Sequence, residues 1–120
     1  GFDYLVLMEE EADLRGLQPD FTALKQIEAR GVIVTAISQQ PQYNFVSRFF
    51  GPAAGIDEDP VTGSAHCTLA PFWAERLGKT TMQAFQASTR GGEITMQLVD
   101  GRVLLGGEAV TVFKGELIIP

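Results

Sequence analysis

Gly55-Ile56-Asp57-Glu58-Asp59-Pro60-Val61-Thr62-Gly63-Ser64-Ala65-His66-Cys67 is the stretch on which the reading of this chain turns. Three acids and Pro60 lead into Thr62, Gly63 and Ser64, and an apolar segment follows over residues 68–77. That order predicts an acidic loop delivering a helix N-terminus, where the first backbone N–H groups have no intrahelical partner. Such a terminus attracts anions, because the free amides and the helix dipole both present positive charge there. Asp57, Glu58 or Asp59 then either complements that dipole or is held beside a bound carboxylate as a proton carrier.

The helix that follows carries Ala65, Cys67, Leu69, Ala70, Phe72, Trp73, Ala74 and Leu77 around most of its circumference, so it is expected to be enclosed by a sheet. Cys67, Phe72 and Trp73 are assigned to the core, and His66 to a partly buried, satisfied position. Pro71 inside the run removes a backbone donor and predicts a bend, and Gly78 supplies the stop.

Working outward, residues 4–8 form a short apolar run that reads as a buried strand, and Glu9-Glu10-Glu11 after it as a solvated turn. Asp20 announces a helix with Phe21, Leu24 and Ile27 at helical spacing, ended by Gly31. Residues 32–37 are β-branched and apolar, which suits a central strand covered on both faces. Residues 43–50 read as a further strand. Beyond the helix the period changes to strand candidates at 81–88, 92–98, 102–105 and 109–113, with Asp100-Gly101 signalling a tight hairpin. The fold class is therefore α/β or α+β: one domain over residues 1–120, a curved sheet around a central helix, with the helix from Asp20 outside.

Composition narrows the partners. A chain of 120 residues with 45% hydrophobic content supports one core. A formal net charge of −6 argues against nucleic acid or an anionic membrane, both of which call for a basic face. One cysteine excludes an internal disulfide and fits a reducing cytoplasm, and one histidine leaves no evident zinc quartet. No apolar run approaches the roughly 20 residues of a membrane span.

Three blocks carry a more specific signal: Arg48-Phe49-Phe50-Gly51-Pro52, the stretch Gly55 to Cys67 quoted above, and Gln86-Ala87-Ser88-Thr89-Arg90-Gly91-Gly92. In this order they resemble the C-terminal half of the PhzF-like isomerase family of phenazine biosynthesis. The resemblance implies a diaminopimelate-epimerase-like fold, in which two similar domains each wrap sheet around a central helix and the active site lies in the cleft between them. It implies no metal and no organic cofactor. By the same resemblance Asp59 matches the acid that this half contributes, Gly63 and Ser64 match the positions that hold substrate at the helix start, and Arg90-Gly91 lies near the same cleft.

Family enzymes also carry a glutamate and usually a histidine on an N-terminal domain, to which no segment of this chain corresponds. The expectation is a fragment of a full enzyme, or a half that pairs with another chain, as in a homodimer imitating the two pseudo-symmetric domains. The function expected is cofactor-independent acid/base proton transfer on a small carboxylate-bearing, anionic metabolite, with Asp59 as the acid/base. The competing expectation is a binding or oligomerisation domain without turnover.

Overall fold

The computed structural model describes residues 2–119. Strand β1 (Asp3–Leu7) is followed by two short helices, α1 (Glu11–Arg15) and α2 (Phe21–Leu24), and by strands β2 (Gly31–Ile37) and β3 (Phe45–Gly51). A 3-10 turn (Pro52–Ala54) leads to β4 (Ile56–Asp59), the long helix α3 (Gly63–Leu77), and the strands β5 (Thr81–Gln86), β6 (Gly92–Val99) and β7 (Arg102–Gly106). The sheet is mixed and seven-stranded, ordered β1-β2-β3-β5-β6-β7, with β4 also paired to β3. Its β1–β2 and β3–β5 pairs are parallel and the others antiparallel.

The sheet buries different residues on its two faces because side chains alternate along each strand. Ile33, Phe45, Phe49, Met82, Ala84, Ile94 and Met96 pack against Ala65, Leu69, Ala70 and Trp73 of α3. Val34, Ala36, Val46 and Phe50 face the other way and meet Leu14, with Phe21 and Leu24 packed alongside. The apolar run in β2 is thus explained by burial on both sides. Across the sheet–helix layer, Trp73 stacks on Phe45 with ring centroids 5.6 Å apart, and its Nε1 donates to Thr35 Oγ1 at 2.9 Å.

Several expectations require correction. β1 is not a buried strand: Tyr4, Val6 and Leu7 are exposed, and β1 is the terminal strand of the sheet, paired among the described residues with β2 alone. Glu11 is not part of a solvated turn. It is buried and accepts hydrogen bonds from the Gln39 N–H and from Arg15 Nε, each at 2.7 Å. Burial alone would push its carboxyl up, but the Gln39 and Arg15 bonds outweigh that and hold it below its ordinary value.

Asp20 does cap, accepting from the Ala23 N–H at 3.0 Å, but α2 ends at Leu24 instead of running to Gly31. The acidic residues 56–59 are a strand, not a loop. Cys67 is exposed, not core, and Thr68, Pro71 and Arg76 are exposed with it, so the sheet curls around one side of α3. Phe72 is half-buried against Trp73. Residues 109–113 form no strand. Residues 107–119 have no regular structure, and Val110, Val112 and Phe113 stand in the open. The Asp100-Gly101 hairpin forms as read, with φ of 50° and 74°, the pair of positive values that a two-residue turn matching strand twist requires.

Candidate active site

Strand β3 divides one of its edges between two partners. Phe45, Val46 and Ser47 pair with β5, and Phe49, Phe50 and Gly51 pair with β4, with a register irregularity at Phe50/Gly51. At the fork Ser47 lies opposite Gln86 and Phe49 opposite Asp59. Two strands that diverge in sequence are thereby brought together, and the turn from Asp59 to Gly63 crosses the gap between them.

The three acids of β4 have separate fates. Asp57 is exposed. Glu58 takes a two-pronged ion pair from Arg48, with Nε to Oε2 at 3.0 Å and Nη2 to Oε1 at 2.8 Å. Arg48 Nη1 also donates to the carbonyls of Leu14 and Leu17 at 3.0 and 2.8 Å, tying β4 to the end of α1. Asp59 is half-buried, and its Oδ2 accepts from the Thr62 hydroxyl at 2.7 Å.

Thr62 stands at the N-cap of α3 in an extended conformation, φ −123° and ψ 102°, yet its side chain makes no capping bond. Its hydroxyl is turned to Asp59 instead, so no side chain of this residue satisfies the first amides of the helix. Gly63 and Ser64 are exposed at this terminus. Ser64 Oγ accepts from Arg30 Nη2 at 2.9 Å, and Arg30 is itself paired with Asp3, whose hydrogen bond raises the guanidinium pKa further.

A cavity of about 590 Å³ opens beside the terminus, lined by Val61, Gly63, Arg90, Gly91, Glu93 and Glu108 among others. Of the residues selected from sequence, Gly63, Arg90 and Gly91 line it, while Asp59 and Ser64 do not. Arg90 is exposed and forms no ion pair among the described residues. Glu93 is engaged by the Tyr43 hydroxyl, which raises the phenol's pKa. The Arg90 loop is bound to the acid-bearing turn through Ser88, whose hydroxyl donates to the Pro60 carbonyl at 2.8 Å and accepts from the Gly91 N–H at 2.9 Å.

His66 is fully buried one turn into α3 and stacks on Phe45. Its Nδ1 lies 2.7 Å from the Thr62 carbonyl, an acceptor, so Nδ1 carries the proton and Nε2 is a bare lone pair. Burial holds its pKa below the ordinary value, opposed by the Thr62 bond. His66 Nε2 and Ser47 Oγ are the buried side-chain polar atoms without a partner among the described residues. The satisfied histidine expected from sequence is therefore satisfied at one nitrogen.

Sequence reasoning missed Gln86 as a site residue. Its signal was parity: Met82, Ala84 and Gln86 all point to the α3 face of β5, and a glutamine in a core-facing register needs polar partners.

The mixed sheet curled over one helix, with an acid held just ahead of the helix start, places the chain in the class of diaminopimelate-epimerase-like α+β folds. The phenazine biosynthesis-like protein family, PhzC-PhzF, matches residues 3–115. An uncharacterized isomerase of Halalkalibacterium halodurans is 51% identical over 98% of this chain and 44% of its own length. An uncharacterized isomerase of Pseudomonas aeruginosa is 54% identical over 94% of this chain and 42% of its own. A crystal structure of a PhzF-family phenazine biosynthesis protein from Enterococcus faecalis superposes with a TM-score of 0.85 at 43% identity, covering 96% of this chain and 44% of that one. The chain belongs to the phenazine biosynthesis-like family, in which the first two of these relatives are named as uncharacterized isomerases, and it spans less than half the length of each of the three.

Proposed function

We propose that this domain contributes one half of an isomerase cleft in which Asp59 moves a proton on a small carboxylate-bearing metabolite, with the other half supplied by a second domain or chain. The observation that carries the reading is Asp59 itself: half-buried, oriented by the Thr62 hydroxyl, and placed immediately before a helix terminus that its own N-cap residue leaves uncapped. An acid/base group must lie within hydrogen-bond reach of the proton it moves, and a carboxylate at bare helix amides is drawn to such a place. Gly63 and Ser64 hold that carboxylate in this reading, and Arg90 and Gly91 flank it across the cavity. The chemistry uses no metal or organic cofactor, and a reducing cytoplasm suits the free thiol.

The test joins this chain to the portion of the Halalkalibacterium halodurans isomerase that it does not match. Small carboxylates with an acidic C–H are incubated in D2O and followed by proton NMR. Exchange at carbon that is lost on Asp59→Asn, in a variant with unchanged thermal unfolding, supports the proposal. Wild-type exchange by Asp59→Asn removes Asp59 from the mechanism.

A second reading, a binding or oligomerisation domain without turnover, is favoured by the exposed apolar residues Tyr4, Val6, Val110, Val112 and Phe113, which call for another polypeptide surface. A homodimer is one form of it. Sedimentation separates the two: self-association without any proton exchange, in the chain alone and in the joined protein, favours the second.

A further inference from the structure

The side chain of Gln86 is fully buried at the end of β5. Its Oε1 accepts the Thr62 N–H at 2.8 Å, and its Nε2 donates to the Asp59 carbonyl at 2.9 Å and to Thr62 Oγ1 at 3.0 Å. A primary amide offers one acceptor oxygen and two N–H donors, and all of them are used here. Glutamate at the same length lacks the donors, and methionine lacks both functions.

The direction of the Thr62 hydroxyl follows from this. Its oxygen receives a hydrogen from Nε2, so its own proton is free to point at the remaining acceptor, Asp59 Oδ2, 2.7 Å away. The amide thus fixes the sense of the whole relay: Gln86 gives to Thr62, and Thr62 gives to Asp59. The fork in the sheet explains how a strand-end glutamine comes to control a turn 24 to 27 residues earlier.

We propose that Gln86 is a positioning residue for the proton-transfer step, acting through the Thr62 hydroxyl to set which oxygen of Asp59 is hydrogen-bonded and which is presented to the cleft. The proposal rests on Asp59 being the acid/base of the site. Gln86→Glu is the informative change, because at neutral pH its carboxylate retains an acceptor for the Thr62 N–H but competes with Asp59 for the hydroxyl proton.

Two measurements decide it. In this chain, the three-bond coupling between the Thr62 hydroxyl proton and Hβ reports the direction of the O–H, and Gln86→Glu is expected to turn it away from Asp59. A wild-type O–H direction in the folded variant overturns the proposal, whether or not any activity is found. In the joined protein, Gln86→Glu is expected to lower kcat for proton exchange about tenfold with KM within about twofold, as loss of one oriented hydrogen bond predicts. In a Thr62→Val background the same change is expected to have no further effect on kcat. A rise in KM at constant kcat, or a full additional loss in the Thr62→Val background, assigns Gln86 a structural role only. Absence of exchange in the wild-type joined protein defeats the proposed function and leaves the hydroxyl coupling to judge the relay.

Discussion

The hydroxyl of Thr62 bonds to the carboxylate of Asp59, three residues behind it, and not to the helix that Thr62 introduces. A threonine at an N-cap ordinarily satisfies an amide of the first turn, a bond worth about 1 kcal/mol. Here the helix forgoes that bond and the acid gains an oriented donor. Thr62→Val removes the donor and leaves Gln86 Nε2 with one partner fewer in a buried setting. The expected cost is about 1–3 kcal/mol of stability, measured by urea unfolding. Thr62→Ser, which keeps the hydroxyl, is expected to stay within about 1 kcal/mol of the parent. Equal losses in both variants would mean that the methyl group, and not the hydroxyl, matters.

His66 makes the stability depend on pH in a window that can be isolated, since it is the chain's one histidine. Its folded pKa lies below the ordinary 6.5, so below pH 6.5 the unfolded chain takes up a proton that the folded chain refuses. Stability is therefore unaffected above that pH. It falls as pH drops below it, by at most about 1.4 kcal/mol per pH unit, until the folded histidine also protonates. Glu11, held low, contributes stability that is lost only as pH falls through the carboxylate range, beneath this window. Urea midpoints between pH 8 and 5.5 are expected to decline below 6.5 in the parent and to stay level in His66→Gln. A level parent curve would mean that the imidazole charges without opposition.

Cys67 is one residue from the buried His66 but about 100° further around the helix, exposed to solvent. Thiol reagents are expected to modify it in the native state at a rate close to that of the unfolded chain, and with no change in the near-ultraviolet circular dichroism of Trp73. Labelling that requires denaturant would place this face of α3 against another surface in solution.

What the sequence disclosed were the features governed by local chemistry. The two-sided apolar run of β2, the Asp20 cap and the Asp100-Gly101 turn each depend on residues close in sequence, and each formed. What it hid depends on distant partners. Helix α2 stops at Leu24, and turns carry the chain on to Arg30, whose N–H is bonded to the Phe2 carbonyl and whose guanidinium is bonded to Asp3. Residues 109–113 alternate as a strand does, but a strand also requires a neighbour, and none of the described residues provides one. At the candidate site, Asp59, Gly63 and Arg90 were selected from a distinctive run of residue types, and of these Gly63 and Arg90 line the cavity while Asp59 stands outside it. The hydrogen bonds of Gln86 to that run depend on the division of β3 between two partners, which no local pattern records.

Gly92 tests whether the turn between Asp59 and the helix is held by packing as well as by hydrogen bonds. It begins β6, and a Cβ built there would run into Cγ2 of Val61, which lies between Pro60 and Thr62 and lines the cavity. Gly92→Ala must therefore push Val61, and the short turn offers little room to absorb the shift, because Ser88 holds the Pro60 carbonyl and Gln86 holds the Thr62 N–H. Overpacking of this kind costs about 1–3 kcal/mol. Val61→Ala removes the opposing methyls, so the double variant Gly92→Ala, Val61→Ala is expected to recover most of the loss. The sum of the two single effects should exceed the double by about 1 kcal/mol or more in urea unfolding. In the joined protein the same pair is expected to show Gly92→Ala impairing proton exchange and Val61→Ala restoring it. Strict additivity in both measurements would place the strain elsewhere and sever Gly92 from the positioning of Asp59.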